Sequence, residues 1–323
     1  MNNKADITAA IVRGLDDAGF RGTVRANVPL APLTSYGIGG PASLLVEIPT
    51  SADLNLFKTC LARNPRPLLI IGGGTNLLIS DEGWDGVAIR LMGDFTPIAS
   101  DGTAIRAGAS TPLPRLVTEG CREGLKGIER LAGIPGWVGG ALVMNAGTFG
   151  EHIGGLVESV QVLTDEGETL SLTAGECDFG YRSSRFQRSG EIVLGCTLKC
   201  EQGNPSGLSE EVEQRMEHRR RTQPVDFPSC GCAFRNPPGG KTAAQLIDDA
   251  GLKGARHGGA AISDLHANYI VNMGGARASD IVALMALARR RVRDVAGVTL
   301  LPEVHGAGFP EPLEVMLNAW NED

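Results

Sequence analysis

At 323 residues the chain exceeds the roughly 250 at which one hydrophobic core usually divides, so two or three domains are expected. A formal charge of −7 argues against nucleic acid as the main partner, and no run of about 20 apolar residues is present to span a membrane. Seven cysteines with no C-x-x-C pair do not make a disulfide framework, which points to a reducing, cytoplasmic setting.

Residues 1–30 alternate charges with apolar residues at helical spacing and read as a helical extension, not a secretory signal. The stretch Gly37-Ile38-Gly39-Gly40-Pro41-Ala42 spells G-x-G-x-x-A, but a strand pattern, Ser43 to Ile48, follows it. A dinucleotide fingerprint must leave a strand and open a helix, so this one is discarded. Ser51 is expected to cap a helix with Leu54, Phe57 and Leu61 on one face, and Pro67 precedes the apolar run Leu68 to Ile71. That run enters Gly72-Gly73-Gly74-Thr75-Asn76-Leu77-Leu78, which is either a tight glycine turn or a nest of backbone N–H groups for a pyrophosphate.

Strand character resumes at Gly86 to Leu91 and Thr103 to Ala107. Thr111-Pro112 then starts a helix with Leu113, Leu116, Val117 and Cys121 inward and Gly124 as its stop. The following run, Leu131 to Gly147, carries no charge and has glycines at 133, 136, 139, 140 and 147. So many glycines suit close approach of a flat ligand to the main chain, or a buried core segment. From Val157 the pattern changes to antiparallel β: Val160 to Leu163, Glu168 to Leu172 after an Asp165-Glu166-Gly167 turn, and Ile192 to Cys200. Between the last two lies Phe179-Gly180-Tyr181-Arg182-Ser183-Ser184-Arg185-Phe186, whose arginines suit either a solvated corner or an anion clamp.

Gln202 to Gly207 reads as a linker and domain boundary, with a helix from Ser209 to before Pro224. Arg219-Arg220-Arg221 and Arg289-Arg290-Arg291 read as solvated helix faces that a phosphate would find attractive. Gly240-Lys241-Thr242 lacks the glycine five positions earlier that a phosphate loop needs, so Lys241 to Ala250 is expected as an ordinary helix. Ser279 is expected to cap a helix carrying Ile281, Val282, Leu284, Met285 and Ala288 to Gly297. The five histidines lack ligand spacing, so no metal site is expected.

Read together, these pieces resemble the UDP-N-acetylenolpyruvoylglucosamine reductase family from about Leu33 to Gly306. The resemblance is carried by Ile38-Gly39-Gly40, the Gly72 to Leu78 loop, Gly133-Ile134-Pro135-Gly136, Gly139-Gly140-Ala141, Asn145-Ala146-Gly147, Gly180-Tyr181-Arg182, Gly231 to Pro237, His266-Ala267-Asn268 and Leu301-Pro302-Glu303-Val304. It implies an α+β fold: a FAD-binding PCMH-type flavin region of two subdomains, as in vanillyl-alcohol oxidase, plus a separate α+β substrate-binding domain. The implied division is a 1–30 extension, a 31–203 flavin region split near 92, a 204–306 substrate domain and a 307–323 tail. A monomer acting on a nucleotide sugar is expected.

By the same resemblance, NADPH reduces non-covalently held FAD, and reduced flavin then delivers hydride to C3 of the substrate's enolpyruvyl ether. Cys232 protonates C2, while Arg182 and Glu303 sit at the substrate carboxylate, where fixed charge lowers the barrier to an enolate. Cys230, beside Cys232, carries no role. FAD is expected against Gly72, Gly73, Gly74, Thr75, Asn76, Leu77, Gly108, Gly133, Ile134, Pro135, Gly139, Gly140, Asn145, Ala146, Gly147 and Ile192, and substrate against Tyr181, Arg235 and Asn236. The chain departs from the family in having Cys232 for the usual serine and Leu33 for the usual asparagine. The short interval from Arg182 to Ile192 places it in the subgroup without a substrate-covering tyrosine loop. A flavin protein that has lost the chemistry is disfavoured by Arg182, Cys232 and Glu303 together. A sugar oxidase of the same fold is disfavoured by the Gly231 to Pro237 and Leu301 to Val304 segments, and no histidine precedes the Gly72 loop to tether flavin.

Overall fold

The computed structural model describes residues 4–319, so the first three residues of the expected extension and the last four of the expected tail lie outside the described residues. The chain divides into two compact units, one of residues 1–25, 44–73 and 88–218, the other of residues 26–43, 74–87 and 219–323. These units are not consecutive stretches of chain, unlike the expected domains.

In the first unit the helix Lys4–Asp17 buries Ile11 and Leu15 and lies against the helix Ser51–Arg63, which buries Leu54, Phe57 and Cys60. Thr50, not Ser51, caps the second helix, because its hydroxyl accepts from Asp53 N at 3.1 Å. That helix connects strands Pro41–Ile48 and Leu68–Ile70, and Trp84–Leu91 lies between these two strands in the sheet. A five-stranded antiparallel sheet follows, in the order Thr169–Thr173, Val157–Leu163, Ile192–Lys199, Ala104–Gly108, Ile98–Asp101. Alternation in Val157–Leu163 buries Val160 and Val162, with Val160 facing Leu172 on one side and Cys196 on the other. The helix Leu113–Arg122 turns inward the four residues that its spacing predicts.

The expected linker is a helix start. Helix Pro205–Thr222 begins inside it, with Pro205 first and the Asn204 side chain accepting from Ser206 N at 3.2 Å. Asn and Pro mark turns and helix N-termini alike, which is why composition reads a linker where a helix begins.

The second unit has its own core, in which Tyr36, Ile38 and Leu78 join Phe234, Ile281, Met285 and others. Its main helix, Ala278–Ala296, is capped not by Ser279 but by Asp81, whose carboxylate accepts from Ala278 N at 2.7 Å and Ser279 N at 3.1 Å. Gly297, at φ +68°, stops it as expected. A sheet of Arg256–His257, Ala260–Ile262 and Ile270–Asn272 packs there, and Leu77–Ile79 pairs in parallel with His305–Ala307. The expected tail carries a helix, Leu313–Ala319, whose Leu313 and Leu317 enter this core. Among the described residues no helix is long and apolar enough to cross a membrane, and no group of three His, Cys, Asp or Glu could hold a metal.

Candidate active site

The glycines of the first unit separate by what a Cβ would meet. At Gly108, Gly139 and Gly147 it would meet the chain itself: Phe95 O at 2.1 Å, Ala109 Cβ at 3.0 Å and Glu151 O at 2.2 Å. Gly108 and Gly147 are thus required by packing whatever binds, and Gly139 is tightly packed. Gly133 and Gly136 have φ of +84° and +99°, a conformation that side chains disfavour. Gly73 abuts Gly136, its missing Cβ 2.8 Å from Gly136 Cα, so two glycine loops meet with no side chain between. Gly140 is different. It is exposed on the helix Val138–Val143, and a Cβ there would have nothing within 4 Å. Gly72 is similarly open, with only ordinary contact to Trp137. A surface of bare backbone with unfilled Cβ positions fits a flat ring held by main chain, so these residues could hold FAD.

Among the other expected cofactor residues, Ile134 is half-buried and Pro135 exposed, while the Ile192 side chain is buried in its strand. Ala146 spends both backbone groups within the protein, its N donating to Ala141 O and its O accepting from Ile153 N. Asn145 is buried, at φ +43°, and its side chain bridges two loops. It donates to Gly180 O at 2.8 Å and accepts from Gly154 N at 3.0 Å.

Through Gly180, Asn145 reaches Arg182. Gly180 and Ser183 exchange backbone hydrogen bonds, closing a turn in which Arg182 sits at φ +53°. A non-glycine residue with this φ is sparsely populated and persists only where its surroundings fix it. The Arg182 guanidinium lies 5.6 Å from the ring centroid of Tyr181, which is 59% exposed. Arg185, the other arginine of the motif, is committed internally, with Nε and Nη2 on the Glu191 carboxylate at 3.1 and 2.8 Å. Arg185 is therefore not available as an anion clamp.

In the second unit, residues 232–235 run between two other segments. On one side Cys232 bridges to Tyr269, Ala233 N donates to Asn268 O, and the Asn268 amide takes Phe234 N at 3.0 Å and gives to Phe234 O at 2.8 Å. On the other, Glu303 N donates to Ala233 O and Arg235 N to Leu301 O. The Cys232 and Glu303 backbones are thereby fixed in adjacent extended segments. Sequence reasoning gave Asn268 no role, although a buried amide in a short polar motif is the signal for one.

Gly74, Thr75, Asn76 and Leu77 belong to this second unit. Gly74 has φ +62°, and its Cβ would lie 2.0 Å from Leu33 O, so it is required by the chain. The Leu33 backbone is therefore what the glycine loop packs against; nothing in the structure explains its leucine side chain. Asn76, expected at the cofactor, donates its amide to Glu303 O at 3.1 Å, while its own O accepts from His305 N.

The two neighbouring thiols differ. Cys230 is buried, burial pushes it up to about 12, and it donates to Leu77 O at 3.3 Å. Cys232 is half-buried. Arg235 is also half-buried, with a buried Nε that no protein group satisfies. Asn236 is less free for substrate than expected, since its Oδ1 accepts from Ala243 N at 3.0 Å.

Comparison with known proteins decides the family. A family model described as FAD binding domain matches residues 42–173, and one described as UDP-N-acetylenolpyruvoylglucosamine reductase, C-terminal domain, matches 223–306. UDP-N-acetylenolpyruvoylglucosamine reductase 2 of Symbiobacterium thermophilum is 40% identical over 90% of this chain and 95% of its own length. The chain belongs to this reductase family. The reductase of Gloeobacter violaceus is 42% identical over 88% of this chain and 96% of its own. The crystal structure of the Thermus caldophilus reductase, MurB, superposes with a TM-score of 0.76 at 38% identity, covering 89% of this chain and 99% of that one. The fold is therefore the expected FAD-binding PCMH-type region plus the C-terminal substrate-binding domain of the reductase family. The flavin model covers the glycine surface and Asn145 but stops before Arg182, and the C-terminal model takes in Cys232, Arg235 and Glu303.

Proposed function

We propose that this protein reduces UDP-N-acetylglucosamine enolpyruvate to UDP-N-acetylmuramate in the cytoplasm, using NADPH and non-covalent FAD. The observation that carries the reading is the Arg182 turn, a cation held at φ +53° by partly buried hydrogen bonds in a chain spanning nearly the full length of its reductase relatives. Bound FAD supplies the hydride relay from NADPH to C3 of the enolpyruvyl ether.

The chain's own residues supply binding and charge. The bare backbone at Gly72, Gly73 and Gly140 admits the ring system, and Ile134 and Pro135 border it. Arg182 neutralises charge that grows on the substrate carboxylate as C3 accepts hydride, and a group preorganised for that charge acts mainly on the transition state. The Cys232 thiol gives its proton to C2, a role for which a thiol is a stronger acid than the family's serine hydroxyl. Glu303 stands at the carboxylate beside it. Tyr181, Arg235 and Asn236 contribute to substrate binding.

The test is anaerobic. Protein loaded with FAD should bleach on NADPH and regain its flavin absorbance only when the enolpyruvyl substrate is added. Bleaching without recolouring would overturn the reading, as would failure to take up FAD.

A further inference from the structure

We propose that Gln187 is a positioning residue for Arg182, a role that rests on the catalytic reading of Arg182. Gln187 closes the short 3-10 turn Arg185–Gln187 and is half-buried. Its Nε2 donates to Arg182 O at 3.1 Å and to Val143 O at 3.0 Å, and lies 3.5 Å from Met144 Sδ. An amide nitrogen has two hydrogens, and these two carbonyls use both. Val143 ends the helix Val138–Val143 that carries Gly140, and the same Val143 O accepts from Ser184 Oγ at 2.7 Å.

One side chain thus ties the carbonyl of the strained arginine to the end of the helix that presents the glycine surface. Asn145 holds the turn from its other end, at Gly180. With φ of Arg182 at +53°, neither attachment is redundant, because the unsupported turn relaxes to negative φ and re-aims the guanidinium. The partners of the Gln187 side chain are all protein groups, and its effect passes through where it puts Arg182.

The experiment separates the two half-reactions in Gln187→Met, which keeps length and bulk but donates nothing. Reduction of bound FAD by NADPH and flavin content should match the wild type, with at most a modest fall in melting temperature from the two lost hydrogen bonds. Reoxidation by the enolpyruvyl substrate should slow by about 10- to 100-fold, the scale of a misplaced positioning group. Gln187→Glu, the same size and equally unable to donate, should show the same pattern and serves if the methionine variant does not fold. In an Arg182→Ala background, Gln187→Met should add no further loss, since its effect exists only through the guanidinium. Equal slowing of both half-reactions, or an independent loss in the double variant, would overturn the proposal and leave Gln187 as a structural tie. An unchanged second step in Arg182→Ala alone would defeat the reading of Arg182 and take the proposal with it.

Discussion

Glycines 140 and 73 look equivalent in a sequence and are opposite in space. A side chain at Gly140 meets nothing of the protein, whereas one at Gly73 meets Gly136 Cα at 2.8 Å. Gly140→Val should therefore fold and melt near the wild-type temperature without flavin, yet bind FAD at least tenfold more weakly, about 1.4 kcal/mol. Gly73→Val should melt lower even without flavin. Equal FAD affinity in Gly140→Val would show that the ring lies elsewhere. The glycine run was legible as a pattern, but its reasons were not, because positive φ at Gly133, chain contact at Gly147 and open space at Gly140 are all written with one letter. Cys230 teaches the same lesson. As a neighbour of Cys232 it invites use as a silent comparison, but its thiol donates to Leu77 O, so Cys230→Ala disturbs the glycine loop as well.

The helix Ser51–Arg63 shows what one cap adds at the scale of an element. Burial alone would raise the Asp53 carboxyl, but hydrogen bonds from Thr50, from Arg21 N at 3.1 Å and from the Arg21 guanidinium at 3.2 Å outweigh it and hold the carboxyl below the usual range. A depressed folded-state pKa contributes stability that is present above the unfolded value of about 3.9 and is lost as pH falls through the folded value. Asp53→Asn should cost about 1–3 kcal/mol at pH 7, as expected for hydrogen bonds to a charged group, and the gap should close in acid. Urea denaturation of both proteins at neutral and acid pH measures this; a gap that is constant with pH would mean the charge is irrelevant. Elements such as this one were legible because helical spacing and strand alternation are local. Short elements escaped. The helix Val138–Val143 is too short and glycine-rich for a periodic pattern, with Val138 N and Gly139 N bonded to Thr111 O and Ala109 O, and the parallel pair Leu77–Ile79 with His305–Ala307 is defined by partners distant in sequence.

Across the whole molecule six of the seven cysteines are buried and only Cys232 is half-buried, so a thiol reagent reports on one place. Iodoacetamide should modify Cys232 first, with loss of substrate reduction but not of flavin reduction by NADPH, and bound substrate should protect it. Cys232→Ser should resist the reagent and keep appreciable activity, while Cys232→Ala should lose only the second half-reaction. Peptide mapping that finds another cysteine modified first, or a fully active alanine variant, would remove Cys232 from the chemistry. The second unit is drawn from three separate stretches of chain. Tyr36 O accepts from Asn272 Nδ2 at 2.9 Å, Asp81 caps the helix at Ala278, and Asn76 holds Glu303 and His305. Contacts so distant in sequence must wait for synthesis: Tyr36, Ile38 and Leu78 leave the ribosome more than two hundred residues before Leu313 and Leu317 arrive to cover the same core. For that interval the nascent chain shows apolar surface that only residues made much later cover, and a fragment beginning at residue 219 is born without part of its own interior.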